Sequence, residues 1–458
     1  MRKLLLATVL ACGLGAPATA DQRFEAVLAG HALLPASTVV LPPADAPQAL
    51  LVSGRFTGPG NLRTDRIGAH PGSTAPAQGS RPTGIARPML GQPFQGISGI
   101  KPVPGEPGSY WVQPDNGFGN RRNSPDAMLM IHRIRPDWRS GAVAIQETIF
   151  PADPDRRVPF RIALEGTESR YLTGADFDPE SIQPLPDGGF MLGDEFGPFL
   201  LHLDRQGRVR RVIETRLGDE VLRSPDHPAL QVPASPAQGV EFRVRRSGGY
   251  EGMALTPDGS TIWAMIEQPL FAPGTGEREG DFIRVLEFSV ARMEWTGRSL
   301  RYRLEPGAVA IGDFNMIDAT RALVIERDSG EGDPGLACPP GQVSHACFPN
   351  PARMKRVSLV DLARSDAQGF IHKIGHIDLM AIRDPEGLAR LRGDLPAGAP
   401  ADRFTFPFTT VESVAMVDAD HIILANDNNL PGSAGRFLTR ADANEFILLR
   451  VADFLRAR

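Results

Sequence analysis

The sequence predicts an all-β protein built as a single β-propeller of six blades, with loop insertions and one short helix. First, short apolar runs bounded by turn residues dominate a chain with 48 glycines and 42 prolines, and long 3.6-residue apolar patterns are scarce. Second, one strand–turn–strand pattern recurs along the chain, and repeated units with variable loops are typical of a propeller. A β-sandwich is the alternative, but it does not explain why the copies resemble one another.

The repeat is clearest in YEGMALTPDGSTIWAMIEQP, residues 250–269, which reads polar residue, alternating strand, turn, second apolar strand and polar cluster. The other copies lie at residues 93–117, 178–204, 313–330 and 408–429. These five copies predict five blades. We expect N-terminal strands around FEAVLAG and ALLVSGRF to complete a sixth blade and close the ring against the C-terminal strands. The apolar spacing of LMAIRDPEGLARLRG predicts the short helix at residues 379–393.

Residues 1–20 form a predicted signal peptide. Two basic residues precede the apolar run LLLATVLA, which is too short to span a bilayer, and the small-residue stretch GAPATA ends at Ala20. We therefore expect residues 21–458 to be the mature domain, exported to the periplasm or secreted. A lipoprotein cleaved before Cys12 is the alternative, although the preceding residues are a poor approach to a lipidated cysteine.

The mature chain is acidic, because loss of the two basic leader residues moves the formal net charge from −5 to −7. An acidic chain has no general attraction for nucleic acid, so no nucleic-acid partner is expected. No apolar stretch beyond the leader approaches membrane-spanning length, so no stable membrane insertion is expected. The expected partner is a small anionic or ester substrate, bound by a monomer.

Two cysteines, Cys338 and Cys347, lie close together in the Pro/Gly-rich stretch GLACPPGQVSHACFPN. In an oxidising compartment such a pair predicts a local disulfide. A metal site would need further thiols or histidines, and only His345 is near. We therefore predict a disulfide that holds a surface loop.

Each copy of the repeat carries polar side chains at both of its ends. In a propeller blade the first strand is innermost and the second returns antiparallel, so these two ends lie on the same face of the ring. The first set comprises Gln95, Glu180, Glu251, Glu412 and, one or two positions out of register, Asp313. The second set comprises Asp115 with Asn116, Asp194 with Glu195, Glu267, Glu326 with Asp328, and Asp427 with Asn428. Because blades converge on the axis, a ring of oxygen ligands is expected at one rim of the channel.

Crowded carboxylates raise one another's pKa, and a hard cation is the usual compensation. Oxygen donors without histidine or thiol favour Ca²⁺. The predicted metal ligands are Asp115, Asn116, Glu180, Asp194, Glu195, Glu251, Glu267, Glu326, Asp328, Glu412 and Asp427. Alternatively, such acids only cap strands and solvate turns. That structural role is expected for the acids in the strand-connecting turns, Asp187, Asp258 and Asp418.

Four stretches, YLTGADFDPESIQP, GDEFGP, DNGFGNRRNSPDAMLMIHRI and YEGMAL, resemble the phytase-like family, described as having esterase-like activity of phytase. The resemblance covers roughly Gln92 to Val451, and several motifs occur in the expected order. It implies an exported, calcium-associated β-propeller that hydrolyses phosphoesters or esters.

Motifs of other hydrolase classes, G-x-S-x-G and H-E-x-x-H, are missing from the sequence. Metal-assisted hydrolysis remains, in which Ca²⁺ neutralises a phosphate or polarises a carbonyl and a carboxylate orients or deprotonates water. The predicted catalytic carboxylates are Glu180, Glu195, Glu251 and Glu267. The predicted substrate-binding residues are Arg121, Arg122 and Arg327, which would clamp phosphate oxygens by paired hydrogen bonds. Salt bridges within the acidic ring are the alternative for these arginines.

Three functions stay open on these residues. The first is a calcium-dependent phosphoesterase, which rim arginines favour. The second is a lactonase or carboxylic esterase with a single channel metal, and the third is a non-catalytic, calcium-stabilised binding propeller. A ring of mixed Glu, Asp and Asn side chains is compatible with all three.

Overall fold

The structure is a computed structural model that describes residues 22–59, 62–66, 68–230, 232 and 242–458. The predicted signal peptide lies outside these residues. The described chain is almost entirely β-structure. Its helices are the short α1 (Ala452–Arg456) and three 3₁₀ turns at Gln48–Leu51, Pro76–Gln78 and Pro334–Leu336.

The N-terminal region forms strands β1 to β8. These are β1 (Gln22–Phe24), β2 (Val27–Leu34), β3 (Val39–Val40), β4 (Val52–Ser53), β5 (His70–Ser73), β6 (Pro82–Arg87), β7 (Met89–Leu90) and β8 (Gln92–Pro93). Six of these strands make three short antiparallel pairs, β3 with β8, β4 with β7, and β5 with β6.

Five antiparallel groups of four strands follow, which we name blades I to V, and a parallel strand contact joins blades V and I into one larger sheet. Blade I contains β9 (Ile97–Pro102), β10 (Tyr110–Pro114), β11 (Ile131–Asp137) and β12 (Ala142–Ile149). Blade II contains β13 (Pro179–Pro184), β14 (Phe190–Asp194), β15 (Phe199–Leu203) and β16 (Val209–Glu214). A small hairpin, β17 (Arg216–Leu217) and β18 (Glu220–Val221), leads to the next blade.

Blade III contains β19 (Tyr250–Leu255), β20 (Thr261–Ile266), β21 (Phe282–Ser289) and β22 (Glu294–Arg303). Blade IV contains β23 (Ala310–Met316), β24 (Arg321–Arg327), β25 (Lys355–Ser365) and β26 (Ile371–Asp378), with β1 added in parallel at its outer edge. The pair β27 (Ile382–Arg383) and β28 (Arg403–Phe404) follows. Blade V contains β29 (Thr410–Met416), β30 (His421–Asp427), β31 (Asn444–Arg450) and β2.

The innermost strands close into a ring in the order β9, β13, β19, β23, β29 and back to β9. The predicted single propeller is confirmed, but in the described residues it has five blades instead of six. The reason is strand pairing: β2 is antiparallel to β31, from Val27 opposite Arg450 to Leu34 opposite Asn444. The N-terminal strand therefore closes the ring as expected, but as the fourth strand of blade V.

The apolar core lies between neighbouring blades. Blades II, III and IV share one large cluster, which includes Met253 of β19 and Phe314 of β23, both fully buried. Three further clusters lie between blades IV and V, I and II, and V and I. Alternate side chains along each strand face a neighbouring blade and form these apolar clusters. The backbone at the channel rim is therefore held by packing on both sides.

The helix predicted at residues 379–393 is wrong. This stretch forms turns around β27. The Asp384 carboxylate accepts hydrogen bonds from the backbone N–H groups of Leu388 and Ala389, at 2.7 and 3.1 Å. Pro385 and Gly387 lie inside this turn, and both residue types are unfavourable in a helix interior.

The predicted disulfide is confirmed: Cys338 and Cys347 are joined in the loop between β24 and β25. The same loop contains the buried Glu331, whose carboxylate pairs with Arg81. Arg81 belongs to residues 74–87, which we name the strap. Its guanidinium also donates to the carbonyl oxygens of Ala434 and Leu438, at 3.0 and 2.6 Å, so the strap is fixed across blades IV and V.

Candidate metal centre

A β-bulge sits near the rim end of the first strand in every blade. The paired register of the two inner strands skips one residue there, and a bulge re-aims the side chain of the skipped residue. The bulged residues of blades I to V are Ser98, Glu180, Glu251, Gly312 and Glu412. Three of the predicted first-set residues therefore occupy equivalent positions.

The predicted second set lies at the rim end of the second strand of each blade. The Glu195 and Glu267 backbone N–H groups donate to the carbonyl oxygens of Asp178 and Gly249, at 2.9 and 2.7 Å. The same ladder position in blades I to V is held by Asp115, Glu195, Glu267, Arg327 and Asp427. Four of these five residues are carboxylates, as the repeats predict.

Blade IV departs from the predicted register. Glu326, expected at the rim, has its carboxylate within the blade, where it accepts from Ser358 Oγ at 3.2 Å and Lys373 Nζ at 2.6 Å. Asp328 pairs with Lys355 Nζ at 3.0 Å and accepts from two backbone N–H groups of a turn. Arg327 has an acidic residue on each side, so the sequence leaves this register ambiguous. The strand pairing places Arg327 at the ring position.

Three carboxylates from blades I and II come closest together. One oxygen from each of Asp115, Asp178 and Glu180 lies within 4.8 Å of the other two. We name this group the triad. Asp178 was missing from the predicted ligands, although it lies two residues before Glu180, opposite Glu195 at the end of the hairpin. Its position directly before β13 is the feature of the sequence that indicates a ligand.

Burial raises the pKa of every carboxyl group in the triad, and repulsion from Asp115 raises those of Asp178 and Glu180 further. Burial likewise raises the pKa of Glu195, with repulsion from Glu267 the next cause. Asp178 Oδ1 and Glu195 Oε1 are buried and have no hydrogen-bond partner among the described residues. Such orphaned acceptors are costly in a folded protein, so these oxygen atoms favour a bound cation.

Arg327 lies among the other glutamates of the ring. Its Nη2 atom is 2.7 Å from Glu267 Oε1, 3.1 Å from Glu412 Oε1 and 3.7 Å from Glu251 Oε1. Burial raises the pKa of Glu412 to about 7, although Arg327 acts in the opposite direction. The alternative interpretation of this arginine, a salt bridge inside the acidic ring, is the arrangement that the structure shows.

Other predicted ligands have backbone partners. The two Asp194 carboxylate oxygens accept from the N–H groups of Asp178 and Gly197, at 2.8 and 2.7 Å. Asn116 Oδ1 accepts from the Gly119 N–H at 3.3 Å, and Asp427 Oδ1 from the Asn429 N–H at 2.6 Å. Asp194 therefore acts as a turn residue, and the Asp427 carboxylate is held by the turn that follows β30.

The other two predicted phosphate-binding arginines lie outside the ring. Arg121 donates to the carbonyl oxygens of Ala175 and Asp226, at 3.0 and 2.6 Å, and its guanidinium lies over the Phe196 ring. Arg122 is exposed beside it. Both residues line a separate surface cavity together with Arg63 and Arg246.

A cavity of about 200 Å³ reaches the triad at Asp115. Its walls are the strap, residues 115–119 and residues 429–433. Thr83 of the strap donates through Oγ1 to the Pro431 carbonyl oxygen at 2.7 Å, so two walls are joined directly. Of the triad, Asp115 is the residue that lines this cavity, which gives a small molecule access to the cluster.

Fold and site together define a five-bladed propeller with a cluster of buried carboxylates at one rim. The family described as "Phytase-like: Esterase-like activity of phytase" matches residues 92–430. The chain belongs to this family. The strap lies before the matched range.

A relative from Arthroderma benhamiae, described as an uncharacterized secreted protein, is 27% identical over 123 residues. The match covers 25% of this chain and 24% of that relative, so this chain spans about a quarter of its length. Within the described residues, no helix is long and apolar enough to cross a membrane.

Solved structures with similar folds have low identity. The arabinanase of Bacillus subtilis is 10% identical, with 77% of this chain and 93% of that chain covered and a TM-score of 0.35. The periplasmic gluconolactonase of Pseudomonas aeruginosa is 14% identical, with 84% and 99% covered and a TM-score of 0.31. The propeller assignment rests on the sheet topology described above.

Proposed function

We propose that this protein is an exported, calcium-dependent hydrolase that acts on phosphoesters or related esters at the acidic rim. The observation that carries the proposal is the triad, in which three carboxylates converge and a buried oxygen of Asp178 has no hydrogen-bond partner among the described residues. Family membership supports esterase-type chemistry. The predicted leader, the disulfide and the secreted relative support export.

Asp115, Asp178 and Glu180 would hold the cation, since hard carboxylate oxygens with no nearby histidine or thiol suit Ca²⁺. When bound, the ion would neutralise a phosphate or polarise an ester carbonyl. Removal of charge repulsion would stabilise the folded protein at the same time.

Glu195 is the best candidate for the carboxylate that accepts a proton from water. Its Oε1 atom is buried without a hydrogen-bond partner in the described part of the chain, and its raised pKa favours proton acceptance near neutral pH. Glu267, by contrast, pairs with Arg327 and accepts from Gln268 Nε2 at 2.7 Å. We therefore assign Glu267 to holding the ring and Glu195 to proton transfer.

The cavity at Asp115 favours a small substrate, because about 200 Å³ admits only a compact group. A second candidate, hydrolysis of a lactone or carboxylic ester, is favoured by the state of the arginines. Arg327 is shared by glutamates, and Arg121 donates to two carbonyl oxygens. Neither guanidinium is positioned to clamp a phosphate, whereas a neutral ester needs no such clamp.

The test is a substrate screen with purified mature protein. Phosphomonoesters, phosphodiesters, lactones and aryl esters would be assayed with calcium and then with chelator, and calcium binding would be measured by calorimetry. We expect hydrolysis of at least one class that chelator abolishes.

The matched variants are Glu180→Gln, at the rim, and Asp187→Asn, in the exposed turn between β13 and β14 at the other end of the same hairpin. Glu180→Gln should weaken calcium binding and hydrolysis together, and Asp187→Asn should change neither. If both variants behave alike, or if chelator changes neither melting nor activity, the proposal is wrong and a non-catalytic propeller is favoured.

A further inference from the structure

We propose that Arg327 takes the place of a second metal ion, so that the acidic ring binds a single divalent cation, on the side of blades I and II. This inference rests on the proposed metal site. Beyond that site, it states how many ions bind, where they bind and which residue determines both.

Blade IV departs from the repeat at both ring positions, whereas blade I departs only at the bulge, where it has Ser98. At its bulge, blade IV carries Gly312 in place of glutamate, and a Cβ atom there would lie 2.0 Å from the Val411 carbonyl oxygen. No side chain fits without movement of the neighbouring blade. At the second ring position the blade carries Arg327. One blade thus loses two potential carboxylates and gains a fixed positive charge.

The guanidinium of Arg327 is surrounded as a cation would be. Glu251 and Glu267 approach it from blade III and Glu412 from blade V, and all four side chains are at least nine-tenths buried. The ring therefore contains two groups of three carboxylates. One group faces a guanidinium, and the other is the triad.

The two groups differ in how their oxygen atoms are arranged. The triad is the one group in the described residues whose three ligand atoms lie within 4.8 Å of one another. The three glutamates around Arg327 instead direct oxygen atoms at one nitrogen, Nη2. Guanidinium charge cannot be removed at physiological pH, so this half of the ring keeps a positive charge without metal, while Glu251 Oε1 accepts no hydrogen bond from the described residues.

The test counts calcium ions per chain, by equilibrium dialysis and native mass spectrometry of the mature protein. We expect one ion for the wild type. Arg327→Met should bind two, because Glu251, Glu267 and Glu412 then lack a cation. Arg327→Lys keeps the charge and should bind one. Arg121→Met is the matched control, since Arg121 donates to carbonyl oxygens outside the ring, and it should also bind one.

A further variant tests the position without disturbing Arg327. Asp178→Asn should reduce binding from one ion to none, and an ion that remains at full affinity would place the site elsewhere and overturn the inference. Two or more ions in the wild type, or one ion in folded Arg327→Met, would also overturn it. A wild type that binds no calcium would refute the proposed metal site itself, which is a different result from a wrong count.

Discussion

Buried carboxylates occur in two contrasting settings in this propeller. In blade V, Glu445 is fully buried, and both its oxygen atoms are bound by Arg436, at 2.9 and 2.8 Å, while His31 Nε2 lies 2.9 Å away. Arg436 lowers the pKa of Glu445 to about 2, against the effect of burial. We name this group the paired cluster. In the triad, burial raises the pKa of each carboxyl group instead, and like charge raises those of Asp178 and Glu180 further.

The difference shows that burial alone does not identify a functional acid. Asp178 and Glu180 are buried almost as fully as Glu445, yet the paired cluster is complete within the protein and the triad lacks a counter-charge among the described residues. A buried ion pair is stable only when its hydrogen bonds are satisfied, and the paired cluster meets that condition. The triad has no such partner in the part of the chain that the structure describes, and the proposed calcium ion would supply one. This contrast gives the following expectations, from the largest effect to the smallest.

The largest effect should come from breaking the paired cluster. Arg436→Met leaves Glu445 charged and buried, and removal of one partner from a buried pair costs about 3–5 kcal/mol of the free energy of unfolding. The exposed pair between Arg383 and Glu25 is the control, and Arg383→Met should cost less than about 1 kcal/mol. Urea denaturation measures both. Equal losses in the two variants would show that the paired cluster is not a structural anchor.

The sequence allowed the propeller and most of its strand pairs to be predicted, because blades repeat an alternating pattern. It did not give the number of blades. The strand FEAVLAG reads the same whether it starts a new blade or completes an old one, and only its pairing with β31 decides. The wrong helix at residues 379–393 has a similar cause, since apolar spacing there is overridden by local turn contacts of Asp384.

The candidate site was predictable where the repeats keep their residue types. Glu180, Glu251 and Glu412 share the bulge position that their matching sequence contexts indicate. Blade IV could not be aligned by searching for acids, because its bulge holds Gly312 and its ring position holds Arg327. A bulge shifts the register by one residue without a fixed sequence signature, so the neighbouring Asp313 and Glu326 were assigned instead.

A buried base without an acid partner extends the comparison. His132 stacks on Phe94 in blade I, and burial lowers its pKa to about 3, from about 6.5 when exposed. Between these values the unfolded chain binds the proton and the native state does not. The stability from neutral His132 is therefore complete above pH 6.5 and is lost as the pH falls towards 3, by about 2 kcal/mol at pH 5.

His132→Gln should remove that part of the pH dependence. Urea denaturation at pH 7.5 and pH 5 gives the loss in the free energy of unfolding between these pH values, for the wild type and for the variant. The difference between the two losses is the contribution of His132. A variant that loses as much stability as the wild type between these pH values would show that His132 does not carry the effect.

The smallest expected effect is a gain in stability, so its sign alone tests the contrast. Without calcium, Glu180→Gln removes one acidic group from the triad. We expect the calcium-free protein to gain about 1 kcal/mol in the free energy of unfolding, as relief of like-charge repulsion.

Glu445→Gln, the same change in the paired cluster, should instead destabilise the protein, because Arg436 loses its charged partner. With calcium present, the gain from Glu180→Gln should become a loss, since the variant binds the ion more weakly. Melting curves of both variants, with chelator and with calcium, decide the matter. If Glu180→Gln destabilises the calcium-free protein as Glu445→Gln does, the triad is an ordinary hydrogen-bonded cluster, and the contrast between the two groups of acids disappears.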